Sequence, residues 1–146
     1  MLVSASSRSR NEQEERLLEL TELASSAGVT VIDRMAQRTP DGHQRYLLGS
    51  GKLKDVLIQT LHKGADMVIF DQTLTPAQSR AISEMTDIKV IDRTQLILDI
   101  FARRAHSREG KVQVELAQLR YLLPRLSGKG TELSRLGGGI GSRGPG

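Results

Sequence analysis

The sequence has 146 residues, of which 38% are hydrophobic and 26% charged, with no cysteine and a net charge of +4. This length suits one domain, or one small domain with an appendage, and the composition is that of an ordinary globular protein. The lack of cysteine excludes a disulfide framework and a thiolate metal site and favours a reducing compartment, so we expect a cytoplasmic protein. Its apolar runs are also shorter than the roughly 20 residues of a membrane span.

The charge is distributed unevenly along the chain. Residues 1–92 hold 11 Lys/Arg and 13 Asp/Glu, a net charge of −2, whereas residues 93–146 hold 10 Lys/Arg and 4 Asp/Glu, a net charge of +6. A basic C-terminal third predicts nucleic acid or an anionic membrane as partner. The sequence has two Phe, two Tyr and no Trp. These aromatic residues are too few for a base-stacking platform, so contacts to phosphate and folded shape are expected.

The first third of the chain predicts one helix and three short strands. A short strand is expected at Leu2 and Val3, within a serine-rich segment. Leucine and alanine residues at helical spacing predict a helix over residues 11–27. β-Branched and apolar residues predict two further short strands, over residues 29–33 and 45–48.

The middle of the chain alternates strands with helices, which predicts parallel β-α-β units with right-handed crossovers. We expect helices over residues 52–63, 76–85 and 95–105, and strands over residues 65–71 and 88–92. Thr75 and Gln78 have the spacing of a capping box, and Thr94 is the expected cap of the next helix. The predicted fold class is α/β, a small parallel sheet with flanking helices followed by a long basic helix and a glycine-rich loop.

Two glycines and a lysine, Gly49, Gly51 and Lys52, stand at the start of a predicted helix, where backbone amides bind phosphate. They form a candidate nucleotide site, with a glycine-permitted turn as the alternative. The segment is not a P-loop, because Tyr46 and Leu53 occupy the positions that need glycine and Ser/Thr. The rest of the sequence contains no P-loop motif either, so we expect no enzymatic activity and no cofactor for this chain.

Other chemistry has little support in the sequence. Asp71 and Asp92 end predicted strands, where parallel sheets place ligands, but such residues equally begin turns and helices. We do not assign them a catalytic role. His43, His62 and His106 are scattered, and we expect them to be solvated.

The C-terminal region combines a leucine seam with a glycine-rich segment. Residues 107–126 predict a helix whose apolar residues recur at steps of four and three, namely Val112, Leu116, Leu119, Leu123 and Leu126. So narrow a seam needs a partner helix, and Pro124 should kink or end the helix early.

Six of the residues in 133–146 (LSRLGGGIGSRGPG) are glycine, and Arg135 and Arg143 are the charges of that segment. Glycine loses much backbone entropy on ordering, so an ordered segment of this kind needs an external surface. Backbone amides and arginines suit a polyanion. A flexible linker is the alternative.

Several motifs resemble those of the HflX family of ribosome-associated GTPases, in the region that precedes the GTPase domain. They are residues 46–52 (YLLGSGK), 70–80 (FDQTLTPAQSR), 91–105 (IDRTQLILDIFARRA), 113–119 (QVELAQL) and 133–146. The sequence departs from the family at Ala81 and Ile82, where Asn-Leu is usual, and residues 11–45 fit more loosely.

The resemblance implies an α/β subdomain over residues 1–105, then the first helix of a helical hairpin and a glycine-rich loop over residues 106–146. A GTPase domain, with GTP and magnesium, is implied beyond them. It also implies binding to the large ribosomal subunit and its RNA, and a part in splitting or rescuing ribosomes. We expect RNA contacts from Arg125, Lys129, Arg135, Gly137, Gly138, Gly139 and Arg143.

Two alternatives remain open. One is a nucleotide-binding module at Gly49, Gly51 and Lys52, since some proteins of the family are reported to bind ATP in this region. The other is a helical module that binds proteins through the leucine seam.

Overall fold

A computed structural model describes residues 1–39 and 45–126 of the chain. Its strands are β1 (Leu2–Ser6), β2 (Arg34–Arg38), β3 (Met67–Phe70) and β4 (Lys89–Asp92). Its helices are α1 (Arg10–Ser26), α2 (Ser50–His62), α3 (Pro76–Met85), α4 (Arg93–Arg104) and α5 (Arg108–Leu122), and α5 ends in a 3-10 turn, Leu123–Arg125.

The four strands form one parallel sheet in the order β2-β1-β3-β4. Leu2 of β1 lies opposite Arg34 of β2 and Ile69 of β3, and Ile69 lies opposite Ile91 of β4. The predicted α/β class with a small parallel sheet is therefore confirmed.

Helices cover both faces of the sheet. The described part of residues 1–105, which we call the body, therefore has two hydrophobic cores. Val3 and Phe70 face α2 and α3, and their core is completed by Leu48, Leu53, Val56, Leu57, Leu74 and Ile82, among others. Leu2 and Ile69 face α1 and α4, together with Leu17, Leu20, Ala24, Ile91, Leu96 and Ile100. Strands buried on both faces are typical of parallel sheets, because crossover helices pack on each side.

The predicted strand at Leu2 and Val3 is confirmed but is longer and more central than expected. It is an inner strand of the sheet, and Ser4 is as deeply buried as its apolar neighbours. Its serines broke the apolar pattern on which a sequence-based prediction depends. Gln13 of α1 satisfies part of this polarity, donating to the Ser6 hydroxyl (3.3 Å) and to the Gln37 carbonyl (3.0 Å), whereas the buried Ser4 hydroxyl has no hydrogen-bond partner among the described residues.

Two predicted strands were wrong. Residues 29–33 lie outside the sheet, and the strand is formed by Arg34–Arg38. The register explains the shift: β1 begins at Leu2, which pairs with Arg34 and donates its amide hydrogen to the Asp33 carbonyl, so the pairing with β1 starts at the end of the predicted segment. Within 45–48 there is a tight turn, with one bridge between Tyr46 and Leu48 and a positive φ of 66° at buried Leu47.

The helix caps largely follow the sequence signals. Thr75 and Gln78 form the predicted capping box at the start of α3. The predicted cap at Thr94 was wrong, because Asp92 is the N-cap of α4 and accepts a hydrogen bond from the Gln95 amide. A carboxylate at this position also interacts favourably with the positive end of the helix dipole. At the end of α5, Pro124 lies in the 3-10 turn, as its missing amide predicts.

A buried carboxylate ties α1 to α4 at the carboxyl edge of the sheet. Both oxygens of Asp71 are engaged: Arg16 of α1 donates to one (2.6 Å) and Arg93 of α4 to the other (2.7 Å). The Asp71 side chain is fully buried, whereas those of Arg16 and Arg93 are 29% and 21% exposed. Loss of this carboxylate would leave two partly buried cations without this partner, although Arg93 also pairs with Glu19 at 3.2 Å.

We predict that Asp71→Ala destabilises the body by about 2–4 kcal/mol, since removing one partner of a buried ion pair leaves uncompensated charge. Chemical denaturation of the variant and the wild type measures this difference. Asp33→Ala is the matched control, because Asp33 pairs with Lys63 at the surface and exposed pairs contribute about 0–1 kcal/mol. Equal losses in the two variants would contradict the assigned role of Asp71.

Candidate nucleic-acid interface

The start of the basic helix α5 is fixed by a serine cap and a glycine. The Ser107 hydroxyl accepts a hydrogen bond from the Gly110 amide at 2.9 Å. A Cβ at position 110 would lie 2.9 Å from that hydroxyl oxygen, too close for an ordinary contact. The glycine therefore allows the cap to form within the short turn that follows α4.

One side of α5 packs on the body and the other carries the leucine seam. Gly110, Val114 and Gln118 are half-buried on the packed side. On the opposite side, Val112, Leu116, Leu119 and Leu123 are between 43% and 57% exposed. The expectation of an uncovered seam is met for these four residues, since no described element covers them. Leu126 differs, because it is half-buried.

The far end of α5 is held to the body by a cluster that we call the tyrosine junction, formed by Tyr121, Arg125, Asp92 and Leu74. The Tyr121 hydroxyl donates to a carboxylate oxygen of Asp92, which also accepts a hydrogen bond from the Leu74 amide at 2.9 Å. Arg125 stacks on the Tyr121 ring, with its guanidinium carbon 3.7 Å from the ring centroid. The junction therefore joins α5 to the ends of β3 and β4.

Arg125, one of the expected RNA contacts, has its guanidinium engaged inside this junction. Its Nε and one terminal nitrogen donate to the Leu74 carbonyl at 3.3 and 3.1 Å. The other terminal nitrogen donates to the Tyr121 carbonyl at 2.8 Å. Arg125 thus fixes the end of the described chain, eight residues before the glycine-rich segment begins at Leu133, and an RNA contact from it stays a prediction.

The remaining expected RNA contacts lie outside the described residues. They are Lys129, Arg135, Gly137, Gly138, Gly139 and Arg143. The described chain reaches Leu126, whose amide donates to the Leu123 carbonyl at 3.4 Å. The tyrosine junction is consequently the structural base from which that segment continues.

The candidate nucleotide site lies at the start of α2, with Gly49 as a cap that has no side-chain hydrogen bond. A Cβ at Gly49 or Gly51 would meet no atom within 4 Å, so neither glycine is required by close packing. Lys52 is half-buried and forms no ion pair with the described residues. The start of α2 is therefore open, and Gly49, Gly51 and Lys52 lie together there.

The strand-end aspartates have structural partners. Asp71 holds the two arginines of α1 and α4, and Asp92 caps α4 and accepts the Tyr121 hydroxyl. Next to them, the Thr73 and Thr94 hydroxyls lie 2.9 Å apart. These contacts give both carboxylates a structural role. The sequence pattern alone did not distinguish that role from a ligand site, because the partners lie far away along the chain.

In residues 1–39 and 45–126, no group of three His, Asp or Glu side chains is arranged to hold a metal ion. The family resemblance places magnesium and GTP in a domain beyond these residues, and no chemical step is assigned to them here. No helix within the same ranges is long and apolar enough to cross a membrane.

Sequence reasoning missed Tyr121. It interpreted the aromatic residues only as too few for base stacking, whereas Tyr121 connects the helix to the body. The available signal was its position: Tyr121 and Arg125 are four residues apart on the side of α5 opposite the leucine seam, where such pairs are neighbours. Burial and the hydrogen bond to Asp92 together raise the pKa of Tyr121.

Comparison with known proteins identifies a family for this chain. Residues 14–102 match the family described as GTP-binding GTPase N-terminal, and residues 104–146 match the GTP-binding GTPase Middle Region. The chain is 50% identical over 135 residues to the GTPase HflX of Caldanaerobacter subterraneus subsp. tengcongensis, which covers 92% of this chain and 32% of that protein. It is 48% identical over 132 residues to the GTPase HflX of Escherichia coli K12, covering 90% and 31%. The chain spans about a third of the length of these relatives.

Solved structures share the fold. A crystal structure of a GTP-binding protein from the hyperthermophilic archaeon Sulfolobus solfataricus in complex with GDP has a TM-score of 0.61 at 27% identity, covering 86% of this chain and 38% of that one. A variant of SsGBP has a TM-score of 0.65 at 28% identity, covering 85% and 40%. The fold of this chain therefore occurs within larger GTP-binding proteins.

The tyrosine junction generates a pH-dependent prediction. Because its pKa is raised above the usual value near 10, Tyr121 stabilises docking of α5 fully below about pH 10 and loses that contribution as the pH rises further. Tyr121→Phe should cost about 1–3 kcal/mol at neutral pH, since Asp92 loses one donor, and should abolish the alkaline loss. Hydrogen exchange across residues 108–126 at neutral and alkaline pH measures docking.

Tyr46→Phe is the matched control, because Tyr46 lies outside the junction and should leave the exchange of α5 unchanged at both pH values. If Tyr121→Phe retains the wild-type protection and the same alkaline loss, the tyrosine hydroxyl does not hold the helix.

Proposed function

Since this chain belongs to the HflX family of GTP-binding GTPases, we propose that it is the ribosome-binding region of such a protein. In this proposal it binds RNA of the large ribosomal subunit in the cytoplasm and helps split or rescue ribosomes. The α/β subdomain of residues 1–105 acts as the body, and residues 106–146 form the first helix of a hairpin and its glycine-rich loop. GTP hydrolysis with magnesium belongs to the domain that follows in the whole protein.

The observation that carries this proposal is the way the tyrosine junction holds the end of α5. A glycine-rich segment binds tightly only if its ends are restrained beforehand, because ordering the segment costs backbone entropy. Tyr121 and Arg125 restrain the chain that leads to this segment, through hydrogen bonds to Asp92 and Leu74. That chain would thus leave the α/β subdomain from a fixed point.

Charge supports the same partner. Residues 1–92 have a net charge of −2, and residues 93–146 have a net charge of +6. Ribosomal RNA attracts this basic third more strongly than the rest of the chain, so a complex should form with residues 93–146 toward the RNA. In this arrangement Arg135 and Arg143 contact phosphate, and the glycines at positions 137–139 allow the backbone to approach closely.

We predict that replacing Arg135 and Arg143 with alanine in the full-length protein weakens large-subunit binding and flattens its salt dependence. Each lost phosphate contact should lower the slope of log affinity against log salt by about 0.7. Replacing Gly137, Gly138 and Gly139 with alanine should weaken binding with little change in slope, because backbone reach changes and charge does not. Sedimentation with purified large subunits across a salt series gives both quantities.

If neither set of substitutions changes binding or ribosome splitting, the glycine-rich segment is a linker. Lys54→Ala is a control for general charge effects, because Lys54 is an exposed cation on α2, in the body.

A second candidate function is nucleotide binding at the start of α2. It is favoured by the open space around Gly49 and Gly51 next to Lys52, since free backbone amides and a cation at a helix start suit phosphate. Equilibrium dialysis of this chain with ATP and with GTP tests it. Binding that is lost in Lys52→Ala and kept in Lys54→Ala would establish the site, and no binding to the wild type would remove this candidate.

A further inference from the structure

The turn between α4 and α5 carries three exposed cations, Arg104, Arg108 and Lys111, which we call the basic elbow. We propose that the basic elbow is a second RNA-contacting surface, separate from the glycine-rich segment, that grips phosphates of ribosomal RNA. This proposal rests on the proposed function and adds a site to it.

The basic elbow is compact. Arg104 is the last residue of α4 and Arg108 is the first of α5, with a three-residue turn between them. Arg108 and Lys111 are three residues apart on one helix, so their side chains are neighbours on the same face. The three cations therefore project from one corner of the molecule.

These cations have no ion-pair partner among residues 1–39 and 45–126, in contrast to Arg16, Arg93 and Arg103. Arg16 and Arg93 are paired with Asp71, and the nearby Arg103 is paired with Asp99 at 3.2 Å. Arg103 also packs its guanidinium against Gly28, where a Cβ would lie 3.4 Å from it. The chain thus uses some arginines to stabilise its fold and leaves the charges of the elbow free for an external anion.

The position of two of the cations is unfavourable for the helix itself. Arg108 and Lys111 lie in the first turn and a half of α5, where the helix dipole is positive and acidic residues are preferred. Glu109 is the acidic residue of that first turn, and Lys111 precedes Glu115 in the less favourable order for an i,i+4 pair. Helix stability therefore does not account for these cations, whereas an external polyanion does.

The elbow and the tyrosine junction lie at opposite ends of α5. A helix of 15 residues is about 22 Å long, so the elbow lies about that far from the tyrosine junction. Two linked contacts raise affinity through effective concentration and also fix the orientation of the arm. RNA is favoured over a membrane surface because the elbow and the glycine-rich segment both belong to the basic third of the chain, residues 93–146.

The test compares three variants of the full-length protein in large-subunit binding across a salt series. Arg104→Ala, Arg108→Ala and Lys111→Ala are combined in the elbow variant, and Arg135→Ala and Arg143→Ala in the loop variant. A matched control removes three exposed cations from the body, Arg10, Arg38 and Lys54. We expect the elbow variant to bind at least tenfold more weakly, with a salt slope smaller by about 2, and the control to bind like the wild type.

Thermal unfolding separates lost contacts from lost folding. Removing Arg108 and Lys111 from the start of α5 should slightly raise the melting temperature, and removing Arg104 from the last turn of α4 should slightly lower it, because of the helix dipole. The elbow variant should therefore melt close to the wild type. Weaker RNA binding together with undiminished stability would therefore support an external role for the elbow.

The outcomes distinguish the elbow from the proposed function. An elbow variant with wild-type affinity and slope, beside a weakened loop variant, overturns the elbow and leaves the proposed function standing. Failure of the wild-type protein to bind large subunits overturns the proposed function itself. Binding to phosphatidylserine vesicles that is lost in the elbow variant, while RNA binding is intact, would assign the elbow to a membrane surface and overturn the RNA assignment.

Discussion

The position of α5 relative to the sheet depends on the hydrogen bonds made to one buried carboxylate, that of Asp92. It ends β4, caps α4 by accepting from the Gln95 amide, and accepts from the Leu74 amide and the Tyr121 hydroxyl. A buried carboxylate is costly unless hydrogen bonds compensate it. The three donors come from three separate parts of the fold, so their positions are interdependent. The Tyr121 hydroxyl is the donor that α5 contributes, and together with the Arg125 hydrogen bonds to Leu74 it holds the far end of α5 to the body.

The carboxylates at the sheet edge are engaged by contacts within the fold, whereas several side chains of α5 face outward. At the carboxyl edge of the sheet, where parallel α/β folds commonly bind ligands, Asp71 and Asp92 are occupied by arginines, amides and a tyrosine. On α5 the leucine seam and several cations face outward. The side chains that remain available for a ligand therefore lie on α5 and not at the carboxyl edge of the sheet.

Much of the fold was predictable because its signals are local. The apolar strands at residues 65–71 and 88–92 and the capping box at Thr75 depend on neighbouring residues alone, and they appear within a few residues of the expected positions. The leucine seam was likewise visible from spacing. Strand 29–33 was wrong because a β-rich run becomes a strand only where another strand lies beside it, and that depends on the start of β1.

The sequence by itself determined the α/β class, the family, the basic third and the glycine-rich segment, since composition, spacing and motifs are written along the chain. Tertiary structure decided which groups meet. Tyr121 lies 29 residues from Asp92, and Arg125 lies 51 residues from Leu74. No local pattern records such pairings, because they arise from the way α5 folds back on the ends of β3 and β4. The same long-range packing placed Arg125 in the junction and left Arg104, Arg108 and Lys111 exposed at the turn.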